Sequence, residues 1–163
     1  MLIIRCETGD DVSIMSDTLA GADLSGLNLH RALLSGQILR DADLRDTELR
    51  SAWLEEAILD GATLMRASLA ACNACRASFV GADLRDAMMR SGDFTGVNFT
   101  GADLRGAKVG GATFVDAILY NADLRCEGLD RVDLTGAKAD RSTRWPTGFQ
   151  PAACGVLVLN NDR

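Results

Sequence analysis

The sequence predicts an all-β solenoid, square in section with four short sides to each coil, and three observations predict it. A bulky apolar residue recurs at every fifth position, from Leu24 through Leu29, Leu34, Leu39, Leu44 and Leu49 to Leu134, usually with Ala two residues before it. The frame runs from Ala22 to Arg141, 120 residues or 24 consecutive pentads, with no insertion or deletion. Asp directly before the bulky residue returns in steps of 20, at Asp23, Asp43, Asp83, Asp103 and Asp123, with Thr63 in the gap.

A period of five fits neither an amphipathic helix at 3.6 nor a plain strand at 2. Within a pentad, however, Ala and Leu are two apart, so extended backbone turns both to one side and their polar neighbours to the other. Gly often follows two residues after the bulky one, as at Gly26, Gly61 and Gly101, where a corner uses its dihedral freedom. Each pentad is then one short side and one bend. The step of 20 makes four pentads a coil and 24 pentads six coils. Aromatic centres agree, since Phe79 precedes Phe99 and Phe94 precedes Phe114 by the same 20 residues.

The elements follow in order. Residues 1–21 form an N-terminal cap, in which the apolar stretches Leu2 to Ile4 and Val12 to Met15 flank a polar Glu7 to Asp11 turn and predict a hairpin. Residues 22–141 are the repeat. Residues 142–163 are a capping tail in which Trp145 and Phe149 close the core and Val156 to Leu159 add a strand. Caps are expected because a solenoid end otherwise exposes strand edges and open core. Two slots break the pattern: Glu127 falls at an inward small position before Gly128, which predicts a distorted coil with the carboxylate turned to solvent or bonded to the tail, and Gln37 is an inward amide needing a partner.

Runs such as Ala22-Asp23-Leu24-Ser25-Gly26, Ala82-Asp83-Leu84-Arg85-Asp86 and Ala102-Asp103-Leu104-Arg105-Gly106 resemble the A(D/N)LXX motif of the pentapeptide-repeat family, over about three quarters of the chain. The resemblance implies a right-handed quadrilateral parallel β-helix with both the bulky centre and the preceding small residue facing inward. Thr143 to Phe149, TRWPTGF, resembles tails that follow the repeats in many cyanobacterial pentapeptide proteins.

Composition points to one soluble domain with a core of Leu and Ala: 47% hydrophobic, 5% aromatic, net charge −6. No apolar run is long enough to span a bilayer and Met1 to Arg5 has no signal-peptide pattern, so cytoplasmic residence and no membrane partner are expected. Cys72 and Cys75 form a CxxC, but the one histidine, His30, is far from them and Cys72 holds an inward slot, so no metal, cofactor or redox role is expected. With one His and no converging nucleophile and base, the chain reads as no enzyme.

Assigning residues to sides gives an Asp and Arg face, a basic face bearing Arg31, Arg50, Arg90, Lys108 and Arg131, and an acidic face bearing Glu55, Glu56, Asp93, Asp116 and Asp133. Leu33, Ile38, Trp53 and Ile58 are apolar in slots that face water, an arrangement monomers seldom leave uncovered. They are the candidate partner surface, to be covered by a terminal segment, a homodimer mate or another protein. The reading is a structural or protein-interaction module, a monomer or homodimer with no direct nucleic-acid contact. The alternative is a DNA mimic that binds a type II topoisomerase, as some pentapeptide-repeat proteins do in inhibiting gyrase and protecting it from quinolones. Charge opposes it: the repeat has 18 acidic and 14 basic residues, whereas duplex DNA as long as six coils, about 29 Å, carries about 17 phosphates.

Overall fold

The computed structural model describes residues 1–159. Four series of parallel bridges run along the repeat, joining residues 20 apart except at the C-terminal end: Asp23 to Asp43 and onward, Asn28 to Glu48, Leu33 to Trp53, and Ile38 to Ile58. Up to the slip at Glu127 the bridging residue is the one before the bulky centre, which alternation then turns inward. Leu24, Leu44, Leu64, Leu84, Leu104 and Leu124 are buried in one such column, with Ala42, Ala62, Ala82, Ala102 and Ala122 beside them.

One pentad, Ala42 to Asp46, explains the period. Asp43 N–H donates to Ala22 O at 2.9 Å in the preceding coil, Leu44 N–H to Thr63 O at 2.7 Å and Asp46 N–H to Met65 O at 3.0 Å in the following one. Ala42 N–H closes the turn on Leu39 O at 3.1 Å. Four of five donors are thereby satisfied by backbone. The corner residue after a side adopts positive φ in the regular coils, and twelve of these are not glycine, among them Asp46 (59°), Ala71 (53°) and Arg76 (58°).

The core changes character midway. Phe79, Phe94, Phe99 and Phe114 are fully buried with ring centroids 5.3 to 6.3 Å apart. Space for them comes from Ala74 in a bulky slot and Gly92 in a small one. Thr47, the other unusual inward residue, is buried with its hydroxyl donating to Leu24 O at 2.8 Å, so it fits an Ala slot without an orphaned polar group.

At the N-terminal end, strands β1 (Leu2–Ile4) and β2 (Val12–Ile14) pair antiparallel, and Ile4, Ile14 and Leu19 are buried against the first coil. The chain after β1 runs antiparallel to the repeat, with Cys6 bridging Ala32 and Leu33 N–H donating to Arg5 O at 2.7 Å. At the other end the register slips. Glu127 is exposed and bridges Lys108 at a step of 19; Gly128 takes φ 80° and a 3-10 turn over Leu129–Arg131 restores Leu129 to the core. Strand β3 (Lys138–Asp140) then pairs in parallel with β4 (Leu157–Leu159). Between them Thr143 is buried, its hydroxyl bonded to Leu119 O at 2.8 Å, and Trp145 stacks on Phe149 with centroids 5.3 Å apart.

Candidate interaction surface

The outward residue before each bulky centre has a structural job that explains the motif. The fifth backbone donor of a pentad, on the residue after the centre, has no backbone partner. Where Asp or Asn precedes the centre, its side chain takes that donor: Asp43 Oδ1 from Arg45 N–H at 3.1 Å, Asn73 Oδ1 from Cys75 N–H at 3.2 Å, Asp93 Oδ1 from Thr95 N–H at 2.9 Å. The Asp row at 20 is thus a row of turn caps.

On the first face Asp43, Asp83, Asp103 and Asp123 also bind the Arg two residues on, while Asp23 caps and bonds Ser25 instead. Arg85, Arg105 and Arg125 lie 2.6 Å from Asp83, Asp103 and Asp123, and Arg45 pairs with Asp43 likewise. These arginine hydrogen bonds hold the four carboxyls below the ordinary carboxylate range. The face is therefore an array of neutralised pairs. Of the basic row, Arg31 is paired with Glu7 of the N-terminal segment at 2.9 Å.

The acidic face differs. Glu56 pairs with Arg76 one coil on at 2.9 Å, but Glu55, Asp93, Asp116 and Asp133 meet no cation among the described residues. Asp93, Asp116 and Asp133 are exposed and Glu55 is half-buried. Hydrogen bonds from the Thr135 hydroxyl and N–H hold the Asp133 carboxyl low.

Leu33, Ile38, Trp53 and Ile58 occupy four capping positions that hold no capping side chain. Leu33 bridges Trp53, and Ile38 bridges Ile58 on the adjoining face. Leu33 is 47% exposed, Ile38 50% and Trp53 38%, while Ile58 is half-buried. The N-terminal hairpin pairs with the edge of the first coil yet leaves these side chains open. Between hairpin and coil lies a groove lined by Leu2, Ile4, Arg5, Leu19, Leu33 and Gln37. Gln37 is exposed at its mouth, so its amide meets solvent where an inward residue was expected. Periodicity marked the apolar residues, but the lost caps required knowing which donor a pentad leaves over.

Other sequence candidates are placed as follows. Cys72 lies in the core, where burial pushes its thiol up to about 12, and Cys75 faces outward. Among the described residues no three His, Cys, Asp or Glu side chains gather to hold a metal ion, and no helix is long and apolar enough to cross a membrane.

The model of the pentapeptide repeats matches residues 28–64, 62–101 and 98–126, in eight copies. The chain belongs to the pentapeptide repeat family. Among solved structures it is similar to HetL, a pentapeptide repeat protein involved in heterocyst differentiation regulation from the cyanobacterium Nostoc sp. strain PCC 7120, with 24% identity, a TM-score of 0.53 and coverage of 85% of this chain and 73% of that one. It is also similar to trypsin-treated QnrB1, a plasmid-mediated fluoroquinolone resistance protein, at 15% identity and a TM-score of 0.50, covering 86% of this chain and 84% of that one. What this pentapeptide repeat protein shares with them is the fold, a right-handed β-helix. No curated protein sequence matches the chain.

Proposed function

We propose that this protein is a non-enzymatic, cytoplasmic interaction module: a quadrilateral solenoid of about six coils over residues 22–141, capped by residues 1–21 and by the tail from 142, that binds a protein through Leu33, Ile38, Trp53 and Ile58. Of the tail, residues 160–163 lie outside the described residues. One observation carries the reading. At these positions the chain has large apolar side chains, exposed at Leu33, Ile38 and Trp53 and half-buried at Ile58, where Asp or Asn caps the turn in other pentads, and Ser35, Arg40, Glu55 and Asp60 N–H are left uncapped among the described residues. Each such hydrogen bond is worth about 0.5–1.5 kcal/mol, so apolar residues here run against stability and are explained by contact with a partner.

The test follows from the same geometry. Leu33→Asn with Trp53→Asn removes the apolar surface and restores caps, so the variant should fold with a denaturation midpoint close to wild type. Affinity capture from native lysate should then lose the proteins recovered by wild type. Identical recovery refutes the surface.

A second reading, a DNA mimic acting on a type II topoisomerase, is supported by the uncompensated carboxylates of the acidic face and by the fold shared with QnrB1. The Arg-paired Asp face weighs against it. Purified gyrase decides: no inhibition of supercoiling and no protection from quinolone at micromolar protein removes it.

A further inference from the structure

We propose that the occupant of this surface is a cationic amphipathic α-helix lying along the solenoid axis on the face of Leu33 and Trp53; the proposal rests on the interaction reading above and names the partner's chemistry. Successive bridges make one straight ladder of Leu33, Trp53, Asn73, Asp93, Thr113 and Asp133. It is apolar at the N-terminal end and acidic beyond. At about 4.8 Å a step, Asp93 stands about 10 Å and Asp133 about 19 Å from Trp53. An α-helix rises about 1.5 Å per residue, so an apolar residue at i with Lys or Arg at i+7 and i+14, about 10.5 and 21 Å on, matches all three.

Charge selects the cation. Asp43, Asp83, Asp103 and Asp123 of the opposite face are paired with Arg, whereas Asp93 and Asp133 on the ladder and Asp116 at its corner meet none among the described residues. Phosphate backbones and anionic membrane surfaces would be repelled by the same groups. The hairpin selects a helix over a strand. Strand addition to this face needs the free edge of its first strand, and that edge is already paired, with Leu33 N–H donating to Arg5 O at 2.7 Å and Cys6 bridging Ala32. A partner must therefore dock through side chains on the face, and the groove between the hairpin and Leu33 receives the apolar first turn of the helix.

The experiment titrates the protein, by calorimetry, with a designed helical peptide of about 18 residues that has Leu and Trp in its first turn and Lys at seven-residue spacing. A second peptide of the same composition has its lysines on the far side of the helix. The first should bind and the second should bind at least about tenfold more weakly. Asp93→Asn with Asp133→Asn, which keeps both caps, should weaken the first by about fivefold, as two exposed ion pairs predict, and flatten its salt dependence. Equal binding of both peptides overturns the proposal. Loss with Trp53→Asn but none with Asp93→Asn and Asp133→Asn overturns the cationic helix and leaves the binding surface standing; loss with neither overturns both.

Discussion

Gly92→Ala tests the packing logic of the core at one atom. Gly92 stands in a slot that Ala fills in most pentads, and its φ lies outside the left-handed region. Ala should therefore be welcome by pattern and by backbone, and reduced freedom of the unfolded chain should even stabilise the protein by about 0.4–1 kcal/mol. Packing says the opposite. A Cβ at Gly92 would lie 2.6 Å from Phe94 Cε2, 3.2 Å from its Cζ and 3.3 Å from Met89 O. The ring cannot retreat freely, because Phe79, Phe99 and Phe114 surround it with centroids 5.3 to 6.3 Å apart across the cluster. Overpacking of this kind costs about 1–3 kcal/mol, which outweighs the entropic gain and leaves a net loss of about 1–2 kcal/mol. The assay is the guanidinium midpoint of Gly92→Ala against wild type, each also in a Phe94→Leu background. Removing the ring atoms should turn the substitution neutral or stabilising. A Gly92→Ala protein as stable as wild type would refute the reasoning.

Ala71 holds φ 53° without a reason to be anything but glycine, so Ala71→Gly should raise stability by about 0.5–1 kcal/mol in the same titration. Depressed carboxyls at Asp43, Asp83, Asp103 and Asp123 contribute stability that is present above the unfolded value of about 3.9 and lost as pH falls through their lower folded values. Urea midpoints should accordingly hold from neutral pH to about 4 and drop below it; an unchanged midpoint at pH 2 contradicts the pairing. Under a thiol reagent at pH 8, exposed Cys154 should react first, whereas Cys72 and Cys126, whose thiols burial pushes up to about 12, should react only on unfolding. Mass spectrometry of partly labelled protein reads the order.

The solenoid was legible in the sequence because its determinants are periodic: the inward Leu and Ala columns and the step of 20 between bridging residues. The slip at Glu127 was legible for the same reason, since a carboxylate in an inward slot before glycine has nowhere to go but out. Other features depend on partners that no period announces. Thr47 and Thr143 are buried only because Leu24 O and Leu119 O lie within 2.8 Å of their hydroxyls. A corner in every pentad was legible from the period, but glycine marks only some of them; Arg76, Asp46 and Ser91 take the same positive φ, because the coil's hydrogen bonds impose the bend whichever residue stands there.

The Asp row shows how one position can serve three ends. From sequence it read as charge on a surface; in the structure it caps the donor a pentad leaves over, and an Arg two residues on then neutralises it. Once the cap is recognised, a residue before the bulky centre that is neither Asp nor Asn becomes informative. Thr63 and Ser68 are small polar replacements that leave the coil solvated. Leu33, Ile38, Trp53 and Ile58 are not, and they are contiguous, at the one end of the solenoid where a hairpin has already sealed the adjoining strand edge. Met88 and Ile118 also put apolar side chains in this slot, but each stands between polar neighbours in its ladder. Only over the first two coils do four stand together, beside a groove and at the head of a ladder that carries unpaired carboxylates, the arrangement that contact with a partner explains.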